Sequence, residues 1–147
     1  MKRLFGGDGT LSERFPVARG EAEWRQRLDP AQFHVLRKHG TERAGSSPLN
    51  AEKRAGTFVC AGCGNALFAS TTKFASGTGW PSFTRPLEGG VATSRDNSLF
   101  MTRTEVHCAN CGGHLGHVFP DGPRPAGLRY CMNGVAMTFM PKPTDEE

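Results

Sequence analysis

The chain lacks any apolar run of the length a transmembrane helix needs, so no helical membrane span is expected. It also lacks the apolar core of a secretory leader: Met1-Lys2-Arg3-Leu4-Phe5-Gly6-Gly7 starts with a basic pair that nothing hydrophobic follows. The expected compartment is therefore the reducing cytoplasm, where cysteine pairs bind metal more readily than they form disulfides. No block of Lys and Arg is interleaved with aromatics. Instead, Arg25, Arg27, Arg37 and Lys38 lie in one region, and Arg95, Arg103, Arg124 and Arg129 in another. The formal charge of +4 would fall to about +2 with Zn²⁺ on four thiolates. No nucleic-acid partner is expected. Helical bulk is missing as well: only 37% of residues are hydrophobic, against 19 Gly and 10 Pro, which favours a loop-rich β fold over a bundle. At 147 residues the chain forms one domain.

Cysteine is scarce but patterned. Cys60-Ala-Gly-Cys63 and Cys108-Ala-Asn-Cys111 are C-x-x-C pairs, and Cys131 stands alone. Two such knuckles can close a tetrahedral four-thiolate Zn²⁺ site, with Gly62, Gly64, Gly112 and Gly113 permitting the turns. The pairs are separated by far more than the about 15–20 residues of a compact ribbon, so the metal would staple two edges of a larger sheet. A redox dithiol, or a set in which His114 or His117 replaces a sulfur, remains an alternative.

Along the chain, residues 1–20 are expected as a polar, Gly-rich tail, 21–140 as one zinc-stapled β domain and 141–147 as a second tail. Trp24 and Leu28 share a helical face. Asp29-Pro30-Ala31-Gln32 carries a capping box with proline at the first helical position, Phe33 and Leu36 face one way, and Gly40 ends the helix. These helices should cover a β core. Thr41 to Ala55 has no periodicity. Strands are expected at Thr57–Val59, Ala66–Phe68, Leu99–His107, Val118–Phe119, Leu128–Met132 and Val135–Phe139. In the longest of these Phe100, Thr102, Thr104 and Val106 alternate. Pro120-Asp121-Gly122-Pro123 is a turn.

A lone cysteine is commonly a small buried hydrophobe. Here Arg129 and Asn133 lie two residues to either side of Cys131, so on a strand all three share a face. Arg129 could stabilise a thiolate and Asn133 could donate its amide. His114-Leu115-Gly116-His117 offers two imidazoles for acid–base work near neutral pH. Gly77-Thr78-Gly79-Trp80-Pro81-Ser82-Phe83 can bend sharply and present an indole, either as core or as the wall of a small apolar site.

From about Asp29 to Phe139 the chain resembles the methionine sulfoxide reductase B family. The resemblance rests on Lys38-His39-Gly40-Thr41-Glu42, the two knuckles, Ser76 to Phe83, His114 to Gly122 and Arg129-Tyr130-Cys131-Met132-Asn133. It implies a mainly β fold of two antiparallel, tent-like sheets with short N-terminal helices outside and a structural zinc away from the active centre. It further implies reduction of methionine-R-sulfoxide, chiefly peptide-bound, without an organic cofactor. Cys131 would be the nucleophile and His114, His117, Arg129 and Asn133 the organising residues. Trp80 would pack against the substrate methyl, and Asp121 would be a further member. Reductants would be thioredoxin, glutaredoxin with glutathione, or a small dithiol, and the protein a monomer.

The chain departs from that pattern at Thr78, where many members place a resolving cysteine. With the other thiols on zinc, an external thiol would have to regenerate Cys131. Gly134-Val135-Ala136 is a smaller departure. The competing reading is a zinc-stapled β module that binds a peptide and needs no thiolate at Cys131.

Overall fold

Hydrogen-bond capping and aromatic packing set the framework of the computed structural model, which describes residues 15–98 and 101–143. Helix α1, Glu21–Arg27, buries Trp24. Helix α2, Pro30–Lys38, starts with the full capping box: Asp29 Oδ1 accepts from the Gln32 N–H at 2.8 Å, and Gln32 Oε1 accepts from the Asp29 N–H at 3.0 Å. It buries Phe33, Val35 and Leu36 against the strands, as the amphipathic spacing requires. The left-handed residue that ends α2 is His39, φ 57°, rather than Gly40.

Among the described residues nine strands follow: β1 Gly56–Cys60, β2 Ala66–Ala69, β3 Lys73–Phe74, β4 Ser82–Phe83, β5 Val91–Asp96, β6 Arg103–Cys108, β7 His114–Phe119, β8 Arg129–Met132 and β9 Met137–Pro141. They form two antiparallel sheets, one ordered β2-β1-β9 and the other β3-β4-β8-β7-β6-β5. Phe58 and Phe68 of the small sheet meet Phe83 of the large one, with ring centroids 5.0 and 4.3 Å apart. All three rings are fully buried, so the aromatic contact joins the sheets.

Several expected boundaries move. The strand expected from Leu99 begins at Arg103, and Leu99 and Phe100 lie outside the described residues. His114 to Gly116 extends β7, and a 3₁₀ turn at Gly134–Ala136 delays β9. Strands β3, β4 and β5 were not expected. Two are only two residues long, and β5 is a largely exposed edge strand without an apolar face. Residues 1–14 and 144–147 of the expected tails lie outside the described residues. Closer in, the Val17 N–H donates to the Asn110 carbonyl at 2.8 Å, so the folded body reaches back past residue 20. Among the described residues no helix is long and apolar enough to cross a membrane.

The feature that positions the site is a β-bulge. Val106 pairs with Gly116 but His107 with His114, leaving Leu115 as an extra residue in β7. Without it, residues 114 and 117 would face opposite sides of the sheet. With it, His114 and His117 join Glu105, His107 and, through the His117–Cys131 pairing, Cys131 on one face. Gly116 permits the close approach, because a Cβ there would collide with the Cys131 carbonyl.

Candidate active site and metal centre

Each knuckle begins where a strand ends. Cys60 closes β1 and Cys108 closes β6, and the Gly64 and Gly112 N–H groups donate back to those cysteines' carbonyls at 2.8 Å. Gly64 and Gly112 hold φ of 82° and 77°, so these two carry the turns. Gly62 and Gly113 keep ordinary φ, although they were expected to help. The four sulfurs lie within 4.8 Å of one another, with Cys60–Cys111 at 3.8 Å and Cys63–Cys108 at 3.5 Å. A tetrahedron with metal–sulfur bonds of about 2.3 Å has edges of about 3.8 Å, so the set fits a metal ion and not disulfides. Four thiols this close cannot titrate independently. Hydrogen bonding with Cys108 drives Cys63 far below the thiol range and Cys60 far above it, a conflict a cation would relieve. Arg37, stacked on Trp24 at 4.5 Å, donates to the Cys111 carbonyl at 3.1 Å and ties the helices to this centre.

Cys131 occupies a central strand of the large sheet, flanked by Ser82 on β4 and His117 on β7. It is half-buried in a cavity of about 300 Å³ whose walls include Trp80, His117, Arg129, Asn133 and Thr78. The indole is fixed by its Nε1–H donating to the Glu42 carbonyl at 3.0 Å. Asn133 is anchored at both ends of its amide: its Oδ1 accepts from the Glu42 N–H at 2.8 Å and its Nδ2 donates to the Leu115 carbonyl at 3.0 Å. It lines the cavity with one of its two Nδ2 hydrogens engaged.

Arg129 forms a bidentate pair with Asp121, at 2.9 and 3.1 Å, while its guanidinium lies 4.6 Å from the Phe119 ring centre. Asp121 is exposed and does not line the Cys131 cavity; its carboxylate is held by Arg129 at the rim. The expectation of a preformed thiolate also changes. Burial pushes the Cys131 thiol above its ordinary value of 9.0, opposed by Arg129 and the Thr78 hydroxyl and reinforced by the Glu42 charge. Burial likewise pushes His117 down from 6.5, against the Asp96 carboxylate 2.8 Å from Nε2. At neutral pH the thiol and the imidazole that face each other are both uncharged.

His114 is absent from the wall of this cavity. It is buried behind it, with Nδ1 2.6 Å from Glu105 Oε2. The same oxygen lies 2.9 Å from Nδ1 of His39, which stacks on His114 at 5.3 Å and whose pKa that hydrogen bond raises. His39, Glu105 and His114 converge as metal ligands could, yet both imidazoles bond one carboxylate oxygen, as a proton-linked cluster does. Asp96 and Glu105 were not singled out in the sequence, and His39, Glu42 and Arg103 were named there without a role in the site. Period-2 polarity in Arg103-x-Glu105-x-His107 was the signal for a charged strand face.

Fold and site together define a class: two antiparallel sheets with a four-cysteine metal centre, and one separate thiol facing an imidazole and an indole. The chain belongs to the methionine sulfoxide reductase B family, for residues 28–141 match the SelR domain. It is 58% identical over 127 residues to the peptide methionine sulfoxide reductase MsrB of Bradyrhizobium diazoefficiens, covering 86% of this chain and 91% of that one. The MsrB of Agrobacterium fabrum is 53% identical over 126 residues, 85% and 93% of the two chains. That of Methanosarcina barkeri is 52% identical over 132 residues, 89% and 91%.

Proposed function

We propose that the chain reduces methionine-R-sulfoxide in peptides to methionine through a one-cysteine cycle at Cys131. The reaction, peptide-methionine (R)-S-oxide reduction, is that of its family. The carrying observation is the Cys131 cavity, which brings a thiol, a neutral imidazole, a fixed indole and an arginine around room for one side chain. The substrate methyl packs on Trp80. His117, opposite Cys131, takes the thiol proton and delivers it to the sulfoxide oxygen as sulfur attacks sulfur. The hydroxyl then transfers from the substrate sulfur to Cys131 Sγ, the substrate S–O bond and the transient S–S bond break, and methionine leaves with Cys131 as a sulfenic acid. Arg129 stabilises negative charge on the attacking sulfur, and His114 with Glu105 supports the face behind.

Thr78 stands in the cavity wall where a resolving thiol would be needed, and its hydroxyl cannot form a disulfide. Two equivalents of an external thiol (thioredoxin, glutaredoxin with glutathione, or a small dithiol) therefore return Cys131 to the thiol, releasing water and a disulfide. The metal is zinc, in keeping with four thiolates, and structural. Its ligands are Cys60, Cys63, Cys108 and Cys111. One turnover on the R epimer without reductant, followed by mass spectrometry of the metal-loaded protein, should find Cys131 as sulfenic acid or its adduct. An internal disulfide at Cys131, or equal turnover of the S epimer, would refute this cycle.

A further inference from the structure

The Cys131 cavity, at about 300 Å³, has room for one side chain, so in a peptide the neighbours of the oxidised methionine must lie outside it. Two cavities border it and they differ in kind. Across Thr41, which lines both, is a larger groove of about 630 Å³ with Val35, Leu49, Val135 and Phe139 in its walls. On the other flank, sharing Thr78 and Arg129 with the Cys131 cavity, is one of about 440 Å³ bordered by the Asp121–Arg129 ion pair. One side is apolar and the other ionic.

Glu42 braces the apolar wall: its Oε1 accepts the Val135 N–H at 2.8 Å, which holds Val135 in the lining of the groove.

We infer that this groove is the subsite for the residue next to the oxidised methionine, and that it takes a bulky apolar side chain. The inference rests on the reductase reading and extends it to sequence preference. The groove and the catalytic cavity share Thr41 as a wall, so a peptide held by its sulfoxide on Cys131 brings a neighbouring side chain to the edge of the groove. The enzyme then favours oxidised methionines that stand next to a large apolar residue.

The test compares kcat/KM for N-acetyl-methionine-R-sulfoxide with that for capped tripeptides whose central R-sulfoxide carries leucine or aspartate on either flank. Leucine on one flank should exceed aspartate there by about tenfold, the order expected for partial burial of one side chain, with no such gain on the other flank. Leu49→Asp, and Leu49→Ser as the milder change, should reduce that gain to about twofold while small-substrate turnover and circular dichroism hold. Equal rates for leucine and aspartate on both flanks would overturn the subsite but leave the reductase reading intact. So would a Leu49→Asp variant that alters oligomeric state and not flank preference, since that outcome places a second copy in the groove. Failure to reduce any sulfoxide, free or peptide-bound, would sink both.

Discussion

The two cysteine sites of this protein use the same atom in opposite ways. At the knuckles, tight turns crowd four sulfurs until they share charge and fit a cation. At Cys131 a flat strand isolates one sulfur, and burial keeps it protonated. The difference comes from backbone: C-x-x-C at a strand end converges side chains, whereas period-2 strand geometry sets each beside its cross-strand neighbours. The first arrangement suits stability and the second suits chemistry, since a thiol facing a neutral imidazole can react only when a substrate accepts the proton.

Breaking the first site should have the largest effect. A structural zinc contributes about 10–16 kcal/mol, as much as or more than the about 5–15 kcal/mol by which a domain is stable. Cys60→Ser, or a strong chelator, should abolish the cooperative thermal transition seen by circular dichroism. A variant that still melts cooperatively near the parent temperature would show that the sheets hold together without the metal, and the comparison would lose one half.

Much of this contrast could be read from the sequence, and the remainder could not, for physical reasons. Knuckle spacing and the Asp29–Gln32 capping box are local patterns that do not depend on the rest of the fold. Cys131 with Arg129 and Asn133 was likewise local, because strand parity alone puts them on one side. The common face of His114 and His117 depends on a bulge at Leu115, which has no signature in His-Leu-Gly-His. The pairing of Arg129 with Asp121 and the anchoring of Asn133 between Glu42 and Leu115 are long-range facts. So is the uncharged state of Cys131: a nearby arginine is visible in the sequence, but the burial that outweighs it is not.

Breaking the second site should remove turnover and leave the fold. Cys131→Ser should lower turnover by about 10⁴-fold or more while changing stability by less than about 1 kcal/mol. Thr78→Cys sharpens the contrast further. Thr78 shares a cavity with Cys131 and its hydroxyl lies close enough to lower the thiol's pKa, so a sulfur there should capture the sulfenic acid. Peptide mapping after one turnover should then find the two positions joined, where the parent gives a sulfenic adduct. Absence of that bridge would mean the sulfenic acid points away from residue 78.

The pH profile is the subtlest test, since it asks whether the second site works as a neutral pair or an ion pair. The kcat/KM of a free enzyme reports its own essential acid and base. His117 is needed neutral, and burial holds its pKa below 6.5, so activity should fall only as pH drops below the ordinary histidine range. Cys131 is needed protonated, and burial holds it above 9.0, so the alkaline fall should come later than for a free thiol. A broad plateau across neutral pH follows, with both limbs displaced outward. His117→Asn should lower that plateau by about 10²–10⁴-fold and erase the acid limb, because no base remains to be protonated. An ion pair behaves oppositely: Cys131 would titrate low and His117 high, drawing the acid limb toward the thiolate's pKa and the alkaline limb down toward histidinium loss. An alkaline fall well below the ordinary thiol range, set by loss of the histidinium proton, would therefore show that substrate-free Cys131 is already charged, and that Arg129 outweighs burial after all.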